Sequence, residues 1–176
     1  MSVNLRLITR IALFAALIYV LSWGTSYFPN VNLVFFIVFT AGFLWGAVAG
    51  ILVGAVGMGL WTTFNPYGPA AFSIMLAQVG GITLSGLTGF FFRKSRWSER
   101  NKKTLITSLV LVAVVCTCLF YLPVNVIDAW IYQPFWPRFI TGMLWSLVSV
   151  AANMIIFPLL FPVTRYLYDR ERISSW

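Results

Sequence analysis

VNLVFFIVFTAGFLWGAVAGILVGAVGMGLWTTF, running from Val31 to Phe64, contains no charged residue. A single helix of that length would reach about 50 Å at 1.5 Å of rise per residue, far beyond the ~30 Å hydrocarbon core of a bilayer. Hydropathy alone leaves two readings open, one long tilted helix or two short ones. The charges around the stretch choose between them. The basic residues are Arg6, Arg10, Arg93, Lys94, Arg96, Arg100, Lys102, Lys103, Arg138, Arg165, Arg170 and Arg172. All but Arg138 fall in three clusters: the N-terminus, the segment 93–103 and the C-terminus. The positive-inside rule asks for all three on the cytoplasmic side. An even number of crossings must then separate Arg10 from Arg93. The apolar runs 7–27 and 70–92 supply two, so 31–64 supplies two more, with the turn expected at Trp45-Gly46.

Two further apolar runs, 105–122 and 139–166, bring the count to six. The expected architecture is an all-α membrane protein, a six-transmembrane-helix bundle with N- and C-termini cytoplasmic, forming one domain over 1–176. Its helices are expected near 7–28, 32–44, 47–64, 70–92, 105–122 and 139–166. The second is too short to cross comfortably, which predicts local thinning or shielding by its neighbours. Phe28-Pro29-Asn30 marks a break after the first helix. The run 7–27 is too long for a signal peptide, lacks a small-residue cleavage site, and reads as a span.

Composition agrees. Hydrophobic residues make up 60% of the 176-residue chain and charged residues 9%, against about a quarter charged in a soluble domain. Mean hydropathy is +0.89. The net charge of +8 forms no groove-sized patch and does not interleave with aromatics, so it reads as topology signal and not as a nucleic-acid surface. Cys116 and Cys118 sit mid-way along an apolar run. With no histidine in the chain they make no standard zinc site. At i and i+2 they point to different helix faces and read as buried small hydrophobes.

Small residues carry the packing signal. Gly46, Gly50 and Gly54 recur every four residues on one face of the third helix, and Gly80, Gly81, Ser85, Gly86 and Gly89 repeat the device on the fourth. Such stripes let backbones approach closely in lipid, where apolar surface alone drives no association. Ala12 and Ala16, with Ala15 beside them, make a smooth notch on the first helix.

Catalysis finds no support. The four carboxylates, Glu99, Asp128, Asp169 and Glu171, all lie outside the spans. Three of them sit among basic residues, where solvated neutralisation accounts for them. No Gly-rich loop ends in Lys-Ser/Thr, so the chain carries no ATPase motif, and no mid-membrane carboxylate offers a proton relay. No metal site and no cofactor are expected.

The outer side has a different character. Helix three is expected to end in Trp61-Thr62-Thr63-Phe64 and to lead into the outer loop 65–69, and this segment and the last outer loop, 123–137, are stiffened by proline. They carry Trp61, Asn65, Tyr67, Asn125, Asp128, Trp130, Tyr132 and Trp136, and Gln78 and Asn153 are amides within helices four and six. Aromatics with a few placed polar groups are what a small-molecule pocket needs. The interfacial aromatic belt accounts for each ring taken singly. Gln78 and Asn153 either floor such a pocket or join two helices. Arg138, the one outer cation, either pairs with Asp128 or sits in the headgroup layer.

Six short helices, cytoplasmic termini, the Ala12/Ala16 notch and outer loops between helices 1–2, 3–4 and 5–6 together resemble the S components of energy-coupling factor (ECF) vitamin transporters. The likeness spans nearly the whole chain at the level of architecture, while the pocket residues match no substrate-specific motif. The resemblance implies capture of a vitamin or precursor at the outer loops and the outer ends of helices four to six, in the plasma membrane of a prokaryote. It also implies docking through Ala12 and Ala16 on a transmembrane coupling subunit. Two cytoplasmic ATPases drive that subunit, so ATP is used by partners, and the S component topples to deliver its ligand. The residues alone favour a flat heterocycle, neutral or weakly cationic, and leave a corrinoid open. They leave open as well a membrane assembly subunit whose outer loops bind protein.

Overall fold

A computed structural model describes residues 5–28 and 30–174. Pro29, part of the expected break, lies outside the described residues. Among these residues the chain forms six α-helices and one 3-10 turn: α1 (Leu5–Thr25), α2 (Val34–Trp45), α3 (Ala47–Phe64), α4 (Phe72–Lys94), the turn Trp97–Glu99, α5 (Lys102–Ile131) and α6 (Phe135–Ser174). Five of the helices are long and apolar enough to cross a membrane, and α2 is apolar but shorter.

The stretch 31–64 breaks where the sequence places the turn. Gly46 has φ of +96°, a left-handed conformation that glycine adopts without strain, and it separates α2 from α3. At 12 residues α2 is only about 18 Å long. Every residue from Val34 to Leu44 is buried, so its neighbours shield it from lipid. It is the hub of the bundle. Phe39 packs on Phe157 and Phe92 at ring-centroid distances of 5.1 and 5.5 Å, and Phe43 packs edge-on against Phe161 at 5.5 Å. Thr40 and Thr164 share a hydrogen bond of 2.9 Å between α2 and α6.

Glycine makes this hub possible. A Cβ built on Gly42 would lie 1.9 Å from the Gly86 carbonyl oxygen, and one on Gly86 would lie 2.5 Å from the Gly50 carbonyl carbon. One on Gly89 would lie 2.0 Å from the Phe39 carbonyl oxygen. The backbones of α2, α3 and α4 are therefore in direct contact. Farther along, Gly57 faces Ile18 of α1 and Gly81 faces Phe120 of α5. Gly80, its neighbour in sequence, faces open space.

One end of the bundle gathers the basic segments. Arg10 of α1 pairs with Glu171 of α6 at 2.9 Å, and Trp45 Nε1 donates to the same carboxylate at 2.9 Å. Arg93 of α4 donates to the Leu44 carbonyl at 2.9 Å, stopping the last turn of α2. Glu171 is thus engaged in an ion pair and is not simply solvated.

Two expectations change. The expected loop 123–137 is mostly helix: α5 runs through Pro123 to Ile131, and α6 starts at Phe135. In lipid the backbone has to stay hydrogen-bonded, so a proline bends a helix more readily than it ends one. The carbonyl that Pro123 leaves without its helical donor, that of Leu119, lies toward Gly81, 3.0 Å from where a Cβ would stand. The two cysteines also differ, since Cys116 is buried but Cys118 is exposed on the surface of the bundle; both are free thiols.

Gly86→Val should destabilise the protein by about 3 kcal/mol, the upper end for overpacking. Gly80→Ala should be neutral or stabilising by up to about 1 kcal/mol. Thermal unfolding in detergent ranks the two variants, and equal effects would refute the glycine contact.

Candidate functional site

Opposite the basic end, the helices enclose a cavity of about 340 Å³, within the roughly 300–1,000 Å³ typical of small-molecule sites. Its walls come from the end of α1, the α1–α2 connection, and the facing ends of α2, α3, α4 and α5. No side chain of α6 lines it. The apolar wall consists of Phe28, Val31, Val34, Met58, Trp61, Phe120 and Val124, and among the described residues no charged one lines the cavity.

The polar wall is unusual. Ser22 Oγ, Asn32 Oδ1 and Gln78 Oε1 are buried and have no hydrogen-bond partner, and all three residues line the cavity. Buried polar atoms are nearly always bonded, and one left unpaired costs about 1–3 kcal/mol. Three of the five such atoms among the described residues belong to residues on this wall, the others being Ser85 Oγ and Asn153 Oδ1, so hydrogen-bonding capacity is concentrated beside the cavity. The start of α2 opens at the same place with no side-chain cap, adding the partial positive charge of a helix N-terminus.

The α3–α4 loop positions one aromatic. Asn65 Oδ1 accepts the Tyr67 amide at 2.9 Å, and Asn65 Nδ2 donates to the Gly68 carbonyl at 2.8 Å. This side-chain turn holds Tyr67 so that its hydroxyl reaches the Ser26 carbonyl at 2.8 Å, across the cavity mouth.

Of the ten residues singled out for binding in the sequence, Trp61, Tyr67 and Gln78 line this cavity. Asn65 shapes the loop beneath Tyr67. Asn125 Nδ2 donates to Ser146 Oγ at 2.9 Å, tying α5 to α6. Asn153, 1% exposed, donates to Thr117 at 3.0 Å and joins the same two helices. Asp128 and Tyr132 line a second, more open cavity of about 470 Å³ with Arg138 and Trp145. There Arg138 forms a two-point ion pair with Asp128, its second contact at 3.2 Å, and lies 4.7 Å above the Tyr132 ring. Trp130 and Trp136 are 73% and 67% exposed and flank Phe135. Ala12 and Ala16 lie on the exposed face of α1, whereas Ala15 is buried.

Several lining residues were not singled out for binding in the sequence: Ser22, Thr25, Ser26, Asn30, Asn32 and Tyr121. A signal was there, since Ser22, Thr25 and Ser26 stand at i, i+3 and i+4 at the end of an apolar helix and so share one face.

The geometry defines a class, a multi-pass membrane protein whose uncharged cavity opens at one end of the bundle. Residues 2–166 match the family model of the ECF-type riboflavin transporter S component, and the chain belongs to that family. It is therefore a substrate-binding subunit of a vitamin transporter, and that family is one of transporter components, not of enzymes. Comparison with curated proteins returns no match, and neither does comparison with solved structures.

Trp61 lies in the cavity wall, so a bound ligand should quench its fluorescence. Trp61→Phe should remove most of the ligand-dependent change, while Trp130→Phe and Trp136→Phe leave it intact. A change that survives in Trp61→Phe would place the ligand elsewhere.

Proposed function

We propose that this chain captures riboflavin, or a flavin of the same shape, in the cavity between α1, α3, α4 and α5, as the S subunit of an ECF importer. The observation that carries this reading is the set of three unpaired polar atoms on the wall of an uncharged, aromatic cavity. A flavin joins a flat aromatic ring, which stacks on Trp61 and the neighbouring rings, to a ring N–H and a polyol chain that donate hydrogen bonds. Ser22, Asn32 and Gln78 are the acceptors we assign to it. The family's description names riboflavin, and the absence of charge on the lining favours a neutral ligand.

In this reading the chain crosses a prokaryotic plasma membrane six times, with both termini in the cytoplasm and the cavity facing outward. The meeting of Arg10, Arg93 and Glu171 at the opposite end supports that parity. The exposed notch at Ala12 and Ala16 docks on the transmembrane coupling subunit. Two cytoplasmic ATPases supply the energy, and toppling of the S subunit carries the ligand inward.

Purified protein should bind riboflavin at one site with quenching of flavin fluorescence. The 5′-phosphate ester should bind at least ~100-fold more weakly, because its anionic charge would enter the cavity without a partner. Gln78→Leu should weaken riboflavin by about ten- to a hundredfold, the cost of one unpaired buried group. Absence of flavin binding at micromolar concentration would overturn the assignment. Separately, Ala12→Trp with Ala16→Trp should abolish uptake in cells while sparing binding, and retained uptake would remove the docking role.

A further inference from the structure

The segment that joins α4 to α5 concentrates charge. Between residues 93 and 103 stand six cations, Arg93, Lys94, Arg96, Arg100, Lys102 and Lys103, and one carboxylate, Glu99. Arg93 is used by the fold, since it donates to the Leu44 carbonyl at 2.9 Å. The other five are exposed, and among the described residues none of them forms an ion pair.

Two of these cations are placed against helix electrostatics. A helix N-terminus carries a partial positive charge and favours carboxylates. α5 has no acidic residue in its first turn and opens instead with Lys102 and Lys103. Asn101 caps one amide there, its side chain accepting the Thr104 N–H at 2.9 Å, and adds no charge. The positive charge at this end is left for an external anion to balance. α4 shows the favourable arrangement, since it ends in Arg93 and Lys94, at the negative end of its dipole.

The turn that presents the cations is ordered and sits at the edge of the apolar surface. Arg96 takes φ of +55°, which is uncommon without glycine. Its amide donates to the Arg93 carbonyl at 3.2 Å, and the Glu99 amide donates to the Arg96 carbonyl at 3.0 Å. Trp97 packs edge-on against Phe92 at 5.8 Å and remains 38% exposed, as an indole at a membrane interface does. Phe91 on α4 and Ile106 on α5 are exposed apolar side chains about one turn from the nearest lysine. The long stems of Lys and Arg bridge that distance, with the apolar part along the helix and the charge at headgroup level.

We propose that the α4–α5 turn is a binding site for anionic phospholipid, with headgroup phosphates against Arg96, Arg100, Lys102 and Lys103. Four to eight cations directly outside a membrane helix are enough to attract such lipids, each contributing about fivefold in affinity. A zwitterionic lipid also carries a phosphate, but its own cation cancels the charge, so the cluster tells the two apart. The site lies at the opposite end of the bundle from the cavity and does not depend on what the cavity binds.

Native mass spectrometry of the protein released from nanodiscs of equal phosphatidylglycerol and phosphatidylcholine counts the lipids it retains. The fourfold variant Arg96→Gln, Arg100→Gln, Lys102→Gln, Lys103→Gln should lose at least about tenfold of the wild-type preference for phosphatidylglycerol. The C-terminal variant Arg165→Gln, Arg170→Gln, Arg172→Gln should lose distinctly less. Thermal unfolding gives a second readout that a purely structural effect does not reproduce. In phosphatidylcholine alone Lys103→Glu should unfold above the wild type, because a carboxylate suits the start of α5. With phosphatidylglycerol present the order should reverse. An unchanged preference in the fourfold variant, an equal loss in the C-terminal one, or an order of unfolding that does not reverse would overturn the site. Loss of uptake in cells with the lipid preference intact would likewise overturn it and assign the turn to an acidic protein surface.

Discussion

The backbones of α2, α3 and α4 touch at Gly42, Gly50 and Gly86, with distances that exclude a Cβ on any of the three. Much else in the structure depends on that contact. Lipid tails are as apolar as leucine, so helices in a bilayer gain little by burying apolar side chains against each other, and close packing has to supply the association. Glycine on both sides of an interface allows the closest approach, and here it allows three helices to approach at once. The hub this creates is α2, surrounded so completely that its phenylalanines pack on α4 and α6 and not on lipid.

The cavity follows from the length of that hub. With 12 residues, α2 is shorter than α1 at 21, α3 at 18, α4 at 23 and α5 at 30. Its C-terminal end is held by the Arg93 bond to the Leu44 carbonyl, so the missing length falls entirely at its N-terminal end. The neighbouring helices continue past Val34, and the space they enclose is the cavity, with Val34, Met58 and Phe120 on its wall. One glycine-rich segment therefore packs the bundle and leaves the cavity to which we assign the ligand.

This explains what could be read in the sequence. The turn at Gly46 and the division of 31–64 into two helices were legible because charge parity is a global constraint. No local propensity has to be judged to apply it. The glycine stripes were legible as packing, although spacing alone could not tell Gly81, which meets Phe120, from Gly80, which meets nothing. The cavity was legible only in part. Trp61, Tyr67 and Gln78 were found because aromatics and amides stand out in apolar surroundings. Trp130, Tyr132 and Trp136 looked similar, yet α5 continues through Pro123 and carries the first of them away from the cavity toward the exposed ends of α5 and α6. Ser22 and Asn30 were not singled out. A hydroxyl in a membrane helix ordinarily bonds to its own backbone, as Thr25 does to Leu21 at 2.9 Å, and only coordinates show that Ser22 does not.

The unpaired atoms bear on how such a protein balances stability against binding. A cavity lined wholly by apolar groups would spare the empty protein the cost of leaving Ser22, Asn32 and Gln78 unbonded, about 1–3 kcal/mol for each. It would also accept any flat apolar molecule of the right size, which in a membrane includes lipid. Unpaired acceptors reverse that preference. A lipid tail leaves them unsatisfied, whereas a ligand rich in donors satisfies all three, and the free energy withheld from the empty state appears as discrimination between ligands. The uncharged lining completes the selection, because an ionised ligand would lose its hydration there without gaining a counter-charge. On the proposed capture role, stability given up in the empty protein is in this way a source of selectivity for a neutral, donor-rich molecule.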